Sequence, residues 1–353
     1  MNVLLLYGGK SVEHDISVVT GCYARSFFSS HNLICIYIDT EGVAWRVPSD
    51  LAPYQHKTQR GKRALFSAGT PFVYTLSAGM FVRGEKIDCA VNCCHGGLGE
   101  NGSLAGLLAM CSIPEAQCNL LPSAIFMNKA ITKSILQSMN VEVLPGIVVN
   151  FGEEVDCPFD FPVVVKPLNL GSSIGVGKAC DRESLDNLLT NAFYFDKQVL
   201  IEPALDNFVE VNCSALRKDD KIKTSDLQCF TSGSLLTFQD KYQSGDFSRV
   251  GNKVEIDKNT RETIEQYTKT IYQQLDCDGV LRVDYFVANG NVYCNEVNTI
   301  PGSLAYGLWE KIYTKKQFGQ ILLNNGIRRF GARKNLCTTY SSNVLDTIRE
   351  FKK

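Results

Sequence analysis

Apolar residues fall first in short unbroken runs and later in alternation, and this change of rhythm predicts two kinds of sheet. Residues 3–7, 33–38 and 87–93 are nearly all apolar, as strands covered on both faces of a parallel sheet must be. Helical spacing over 11–29 and 104–111 separates or follows them, so the first third reads as a βαβ arrangement, a small doubly wound lobe. Residues 42–84 keep no period; strands are expected there only at 72–76 and 80–82, and no function is placed there. A helix is predicted over 124–139 with Ser123 as its N-cap after Pro122, then strands at 146–150 and 161–166, a helix at 181–192 and a strand at 199–202. From Glu210 the pattern turns antiparallel, with strands at 210–218, 221–230, 279–287 and 292–298 and a helix at 260–275. Asn289-Gly290 marks a tight hairpin between the last two strands. Residues 309–353 read as a few helices ending in a charged, amphipathic segment at 341–353.

Length and charge narrow the field. A chain of 353 residues outgrows one small core, so two or three packed lobes are expected. A net charge of -1 leaves no electrostatic footprint for nucleic acid or an anionic membrane. The opening MNVLLLYGGK lacks a basic stretch and a cleavage site and reads as a strand entering a glycine turn, not a signal peptide. No run approaches the roughly 18 apolar residues of a membrane span. The 14 cysteines are scattered, several inside apolar runs (Cys35, Cys89, Cys111, Cys294), and none forms a CxxC pair. Adjacent Cys93 and Cys94 are a poor chelate, and only 4 His are present, so the reading is reduced thiols in a cytoplasmic protein without zinc.

Two stretches carry chemistry. Lys166 leaves a buried strand and enters a loop holding Gly171, Ser172, Ser173, Gly175 and Gly177. Such a loop can turn its amides and hydroxyls toward one phosphate, although neither a P-loop nor a GxGxxG pattern is present, and a flexible glycine turn is the plainer alternative. Further on, Arg282 and Asp284 share one face of a predicted strand, and Glu296 and Asn298 share one face of its hairpin partner. Two carboxylates and a carboxamide are hard oxygen donors suited to Mg²⁺. The plainer alternative is an ion pair of Arg282 with one acid on a solvated face. The tight turn Pro301-Gly302 follows directly, and its glycine amide could donate to an oxyanion beside Arg282.

In order, Lys129, the VVVKP strand and GSS loop, Glu202, Arg282-Val-Asp284 and the run from Glu296 to Gly302 resemble ATP-grasp enzymes. Within these the chain is similar to the D-alanine–D-alanine ligase family, because Gly8, Gly9, Ser11, Glu13 and Ser17 match its first motif and His95, Gly99, Glu100 and Gly102 its second. The likeness spans roughly residues 3 to 305. It implies an α/β chain with an α+β carboxy-terminal lobe, an ATP-grasp fold preceded by a Rossmann-like lobe. The expected lobes are 1–121, holding the first substrate, 122–205 in the centre, 206–325 with a lid near 229–250, and a helical tail at 326–353.

The same resemblance implies residue roles. Lys129 and Lys166 would hold ATP phosphates with Ser172 and Ser173, Glu202 would sit at the adenine and Glu210 at the ribose, although Pro203 stands where a lysine is common. Asp284, Glu296 and Asn298 would bind Mg²⁺ or Mn²⁺, two ions in all. Glu13 would receive the ammonium of the first amino acid, in a set with Ser172 and Tyr242; taken alone, Glu13 also fits a helix-capping acid. Lys241 would meet the γ-phosphate or the second carboxylate, Arg282 and Gly302 would hold the oxyanion, and His95 belongs to the same site. The implied activity is ATP-dependent ligation of two D-alanines for peptidoglycan precursors, with ATP and D-alanine as small-molecule partners and a homodimer suggested. The chain departs from the family at Ser303 to Trp309, where Gly307 replaces a serine. A different second substrate, D-serine, D-lactate or another amino acid, therefore stays open. A nucleotide-binding regulator without catalysis would need lost phosphate lysines or metal ligands, and none is lost.

Overall fold

The computed structural model describes residues 1–58, 61–231, 256–334, 336–342, 344, 345 and 348, and its strands form three sheets. The apolar runs build the parallel part of the first: β1 (Asn2–Gly8), β2 (Asn32–Ile38) and β7 (Cys89–Asn92) lie in the order β2-β1-β7. Along β1, Val3, Leu5 and Tyr7 face Val18 and Ala24 of helix α1 (His14–Ala24). Leu4 and Leu6 face Leu104 and Leu108 of α3 (Ser103–Met110), which follows the short α2 (Gly97–Glu100). Both faces of the strand are thus covered, which is why it shows no alternation.

Residues 42–84 correct the reading of an irregular stretch. β3 (Ala44–Val47), β4 (Lys62–Phe66), β5 (Phe72–Ser77) and β6 (Met80–Lys86) extend the sheet antiparallel beyond β2. β5 and β6 match the strands expected at 72–76 and 80–82, whereas β3 and β4 escaped notice because only Val47 and Ala64 of their residues are buried, so burial imposes no pattern on them. Similarly, the helix expected over 11–29 is regular only in α1 and passes into a 3₁₀ turn at Arg25–Phe27.

The second sheet is antiparallel, β8 (Ile147–Asn150), β9 (Val163–Pro167), β10 (Gly177–Ala179) and β11 (Gln198–Pro203) in the order β10-β9-β11-β8. Helix α6 (Arg182–Phe195), capped by Asp181, covers it through Leu185, Leu189 and Ala192. The single helix predicted over 124–139 is two. α4 (Leu120–Met127) is capped by Asn119, not Ser123, and α5 (Lys129–Ser138) by Asn128. Asn128 is extended (φ -99°, ψ 109°) and its side-chain oxygen accepts from the Ile131 amide at 3.0 Å, so the carboxamide replaces a helical bond and breaks the run.

The third sheet holds β12 (Val209–Lys218), β13 (Lys221–Thr224), β14 (Gln228–Thr231), β15 (Leu281–Ala288) and β16 (Asn291–Asn298), with β12 at the centre of β13-β12-β15-β16 and β14 also paired to β12. The strand predicted over 221–230 breaks at Ser225, whose hydroxyl takes the Ser214 amide at 3.0 Å. Helix α7 (Lys258–Gln274) covers the core face with Ile264, Ile271 and Tyr272. α8 (Lys315–Lys334) then returns to the first lobe, where Phe318, Leu322 and Trp309 share a core with Leu5 and Phe27. It seats closely because a Cβ at Gly319 would lie 2.5 Å from the Phe27 carbonyl. Residue 325, the expected end of the third lobe, lies inside this helix. Among the described residues no helix is long and apolar enough to cross a membrane.

Candidate active site

Glu13 reaches the site from the first lobe. It precedes α1 and makes no side-chain cap hydrogen bond there. Instead the Ser172 hydroxyl, from the loop after β9, donates to Glu13 Oε1. Gly171 makes the approach possible, because a Cβ there would lie 3.2 Å from that oxygen; a Cβ at Gly96 would lie 2.4 Å from Oε2. Ser172 and Ser173 are both left-handed (φ 54° and 57°), a conformation that costs a non-glycine residue about 1–2 kcal/mol and is held here by the loop's contacts.

His95 anchors the same corner. Its amide donates to Ser17 Oγ at 2.8 Å, and its Nε2 lies 2.9 Å from the Thr20 hydroxyl. Thr20 in turn accepts the Ser303 amide at 3.3 Å, which ties α1 to the turn carrying Gly302. In that turn Ser303, Leu304 and Ala305 are all left-handed. Burial, reinforced by Arg282 nearby, pushes the His95 imidazole down to about 4. The unfolded chain takes that proton near 6.5, so it binds more protons than the folded protein between the two values. Stability from this group is therefore lost as pH falls from 6.5 toward 4, by about 3 kcal/mol at most. A His95→Asn variant should lose less stability than the parent between pH 7 and pH 4.5 in denaturant titrations; equal losses would exclude this origin.

Glu100 is a site residue that motif reading quoted without singling out. Its Oε2 accepts the Gly96 amide at 2.8 Å, and burial, then Glu13 and Glu296, push its carboxyl up to about 8. Glu100, Lys129, Gly171, Glu296 and Asn298 line one cleft between the lobes.

The central lobe supplies the cations. Lys129 begins α5, and its ammonium donates to the carbonyls of Pro167, at 3.1 Å, and Leu170, in the loop after β9. Burial pushes it below the ordinary lysine value, with Glu296 opposing. Lys166 lies 2.5 Å from Glu202 Oε2 and donates to Asn295 Oδ1 at 3.0 Å. Glu202 Oε1 pairs with Lys133, a lysine that sequence reading passed over although it lies four residues after Lys129 on the same helix face. Burial would raise the Glu202 carboxyl, but the two ammonium groups reverse this and hold it below the usual range. Beside this triad Leu144, Val164, Pro203, Phe208 and Phe286 form an apolar slot.

The third sheet presents the acids. Asp284 lies opposite Glu296 and Arg282 opposite Asn298, so all four share the cleft face. The register shifts after Asp284, leaving Asn295 as a bulge residue between buried Cys294 and Glu296. That shift lets Asn295 meet Lys166 while its neighbour Glu296 lines the cleft. Arg282 donates to both oxygens of Asp284, at 2.7 and 2.8 Å, and Asn298 Nδ2 donates to Oδ2 at 3.2 Å. The ion pair read as an alternative to a metal site is thus present within the same acid set. Among the described residues no cluster of three or more His, Cys, Asp or Glu is arranged for a metal. Glu210 lies on β12 opposite Phe286. Tyr242 and Lys241, and the lid expected near 229–250 except for its first residues, lie outside the described residues.

Comparison with known proteins gives the family. Residues 2–118 match the family described as D-ala D-ala ligase N-terminus, and residues 145–321 the D-ala D-ala ligase C-terminus. The D-alanine–D-alanine ligase of Thermosipho melanesiensis is 30% identical over 95% of this chain and 96% of its own, and that of Wolinella succinogenes 32% over 88% and 90%. Among solved structures, the Helicobacter pylori enzyme superposes with a TM-score of 0.78 at 25% identity, covering 92% of this chain and 98% of its own. The Bacillus anthracis enzyme, solved in complex with ATP, gives 0.69 at 23% over 94% and 99%. The two family matches and the relatives at 30% identity or more, on a fold shared with these structures, place the chain in the D-alanine–D-alanine ligase family, a carbon–nitrogen ligase of ATP-grasp fold.

Proposed function

We propose that the protein uses ATP to join two D-alanines into D-alanyl-D-alanine through an acyl phosphate, a step of peptidoglycan precursor synthesis in the cytoplasm. The observation that carries this reading is the hydrogen bond from Ser172 to Glu13, which sets an ammonium-binding carboxylate against the phosphate loop. The adenine enters the slot beside Glu202 and Phe286, with Glu210 at the ribose, and Lys129, Lys166 and Ser173 hold the phosphates. Glu13 fixes the first D-alanine by its ammonium, leaving its carboxylate oxygen to attack the γ-phosphorus as the bond to ADP breaks. The second amine, its ammonium proton given up to water, then attacks the acyl carbon, and the departing phosphate carries off the proton released as the amide forms. Arg282 and the Gly302 amide hold the oxyanion until phosphate leaves. His95, held neutral by burial, keeps the Gly302 turn in place through Thr20. Tyr242 and Lys241 would close the site against water, which would otherwise consume the acyl phosphate.

The donor set fits Mg²⁺ or Mn²⁺. Asp284, Glu296 and Asn298 offer hard oxygens on one face, and Asn212 Oδ1, opposite Asp284, is buried without a hydrogen-bond partner. When bound, such ions would offset the negative charge of the phosphates. Asp284, held by Arg282 through both of its oxygens, would be shared between the guanidinium and such an ion.

Phosphate release measured over a panel of D- and L-amino acids tests the substrate. D-alanine alone should support release, with the dipeptide as product. Release only when D-serine or D-lactate accompanies D-alanine would favour the open second-substrate reading at Ser303 to Trp309, and release with L-amino acids alone would refute the proposal.

A further inference from the structure

Glu202 is 2% exposed, and both of its oxygens are taken by lysines that differ in what else they touch. Lys166 lines the nucleotide slot and holds Asn295. Lys133, from the middle of α5, donates besides Glu202 only toward the Leu144 carbonyl at 2.7 Å among its hydrogen bonds here, and it lines neither part of the cleft. A phosphate that draws Lys166 away removes one of the two charges compensating a buried carboxylate. Without Lys133 it would remove the last one, and a buried carboxylate stripped of its counter-charge is strongly unfavourable. Lys166 would then be held by Glu202 and withheld from the nucleotide.

We propose that Lys133 is a positioning residue for ATP: as the fixed counter-charge of Glu202, it releases Lys166 to the nucleotide's phosphates. This rests on the reading of Lys166 as a phosphate lysine. It separates the two lysines by function, one anchored and one transferable, although they share one partner.

The test is equilibrium binding of ATP and of adenosine to the full-length protein and its Lys133→Met variant. ATP affinity should fall at least tenfold while adenosine affinity stays within about twofold, and Lys133→Arg should recover most of the loss. A double variant, Lys133→Met with Glu202→Gln, has no buried carboxylate to hold Lys166 and should bind ATP as well as Glu202→Gln alone. Equal losses for ATP and adenosine, or no loss for either, would overturn the proposal. Should Lys133→Met fail to fold, the double variant decides: ATP affinity equal to that of Glu202→Gln supports the proposal, and a further tenfold deficit overturns it. A parent protein that binds ATP no better than adenosine would instead remove the phosphate role of Lys166 itself.

Discussion

Replacing Arg282 by Ala should lower turnover about a thousandfold while leaving ATP affinity within about threefold of the parent. Loss of one oxyanion donor typically costs about 10²–10³ in kcat, and here the donor is also a full charge. The guanidinium has a second partner, Asp284, which it holds by two hydrogen bonds and which is 5% exposed. Removing it leaves Asp284 with the Asn298 carboxamide at 3.2 Å among the contacts described above, so some loss of stability should accompany the loss of turnover. Arg282→Lys keeps the charge but not the fork and should fall between. Steady-state kinetics with separate ATP-binding titrations decide the matter. A variant with near-normal turnover, or one whose ATP affinity falls as far as its turnover, would refute the oxyanion role.

Glu13→Gln should have a comparable effect on a different quantity. The substitution keeps the shape that Gly96 and Gly171 accommodate but removes the charge that pairs with an ammonium. Truncating one partner of a desolvated charge pair costs about 2–5 kcal/mol, so kcat/KM for the first D-alanine should fall about a thousandfold with KM for ATP nearly unchanged. Ser172→Ala, which removes one hydrogen bond to that carboxylate, should cost about tenfold. Selectivity is the informative part: a rise in KM for ATP equal to the loss on D-alanine would mean that Glu13 supports the phosphate loop rather than the amino acid.

How far the sequence speaks for such a site depends on burial. β1, β2 and β7 were legible because both of their faces are covered and their residues are nearly all apolar. β3 and β4 were not, since water touches much of them and imposes no period. The break at Asn128 was hidden in an apolar run, and only its cap geometry shows why the helix stops. In the site, period 2 correctly brought Arg282, Asp284, Glu296 and Asn298 to one face, because facing residues of a hairpin stay together. The bulge at Asn295 left no such mark. Nor did the Lys133–Glu202 pair, which depends on how α5 seats against the second sheet, a contact between segments about 70 residues apart in the chain. The roles of Tyr242 and Lys241 still rest on the resemblance alone.

The central claim is that a carboxylate is activated as an acyl phosphate before an amine displaces it. The direct measurement is incubation with ATP, Mg²⁺ and D-alanine labelled with ¹⁸O in its carboxylate as the sole amino acid, followed by mass analysis of products. One dipeptide should form per phosphate, and each phosphate should carry one ¹⁸O from the first D-alanine. ADP formation without dipeptide, or dipeptide accompanied by unlabelled phosphate, would contradict it.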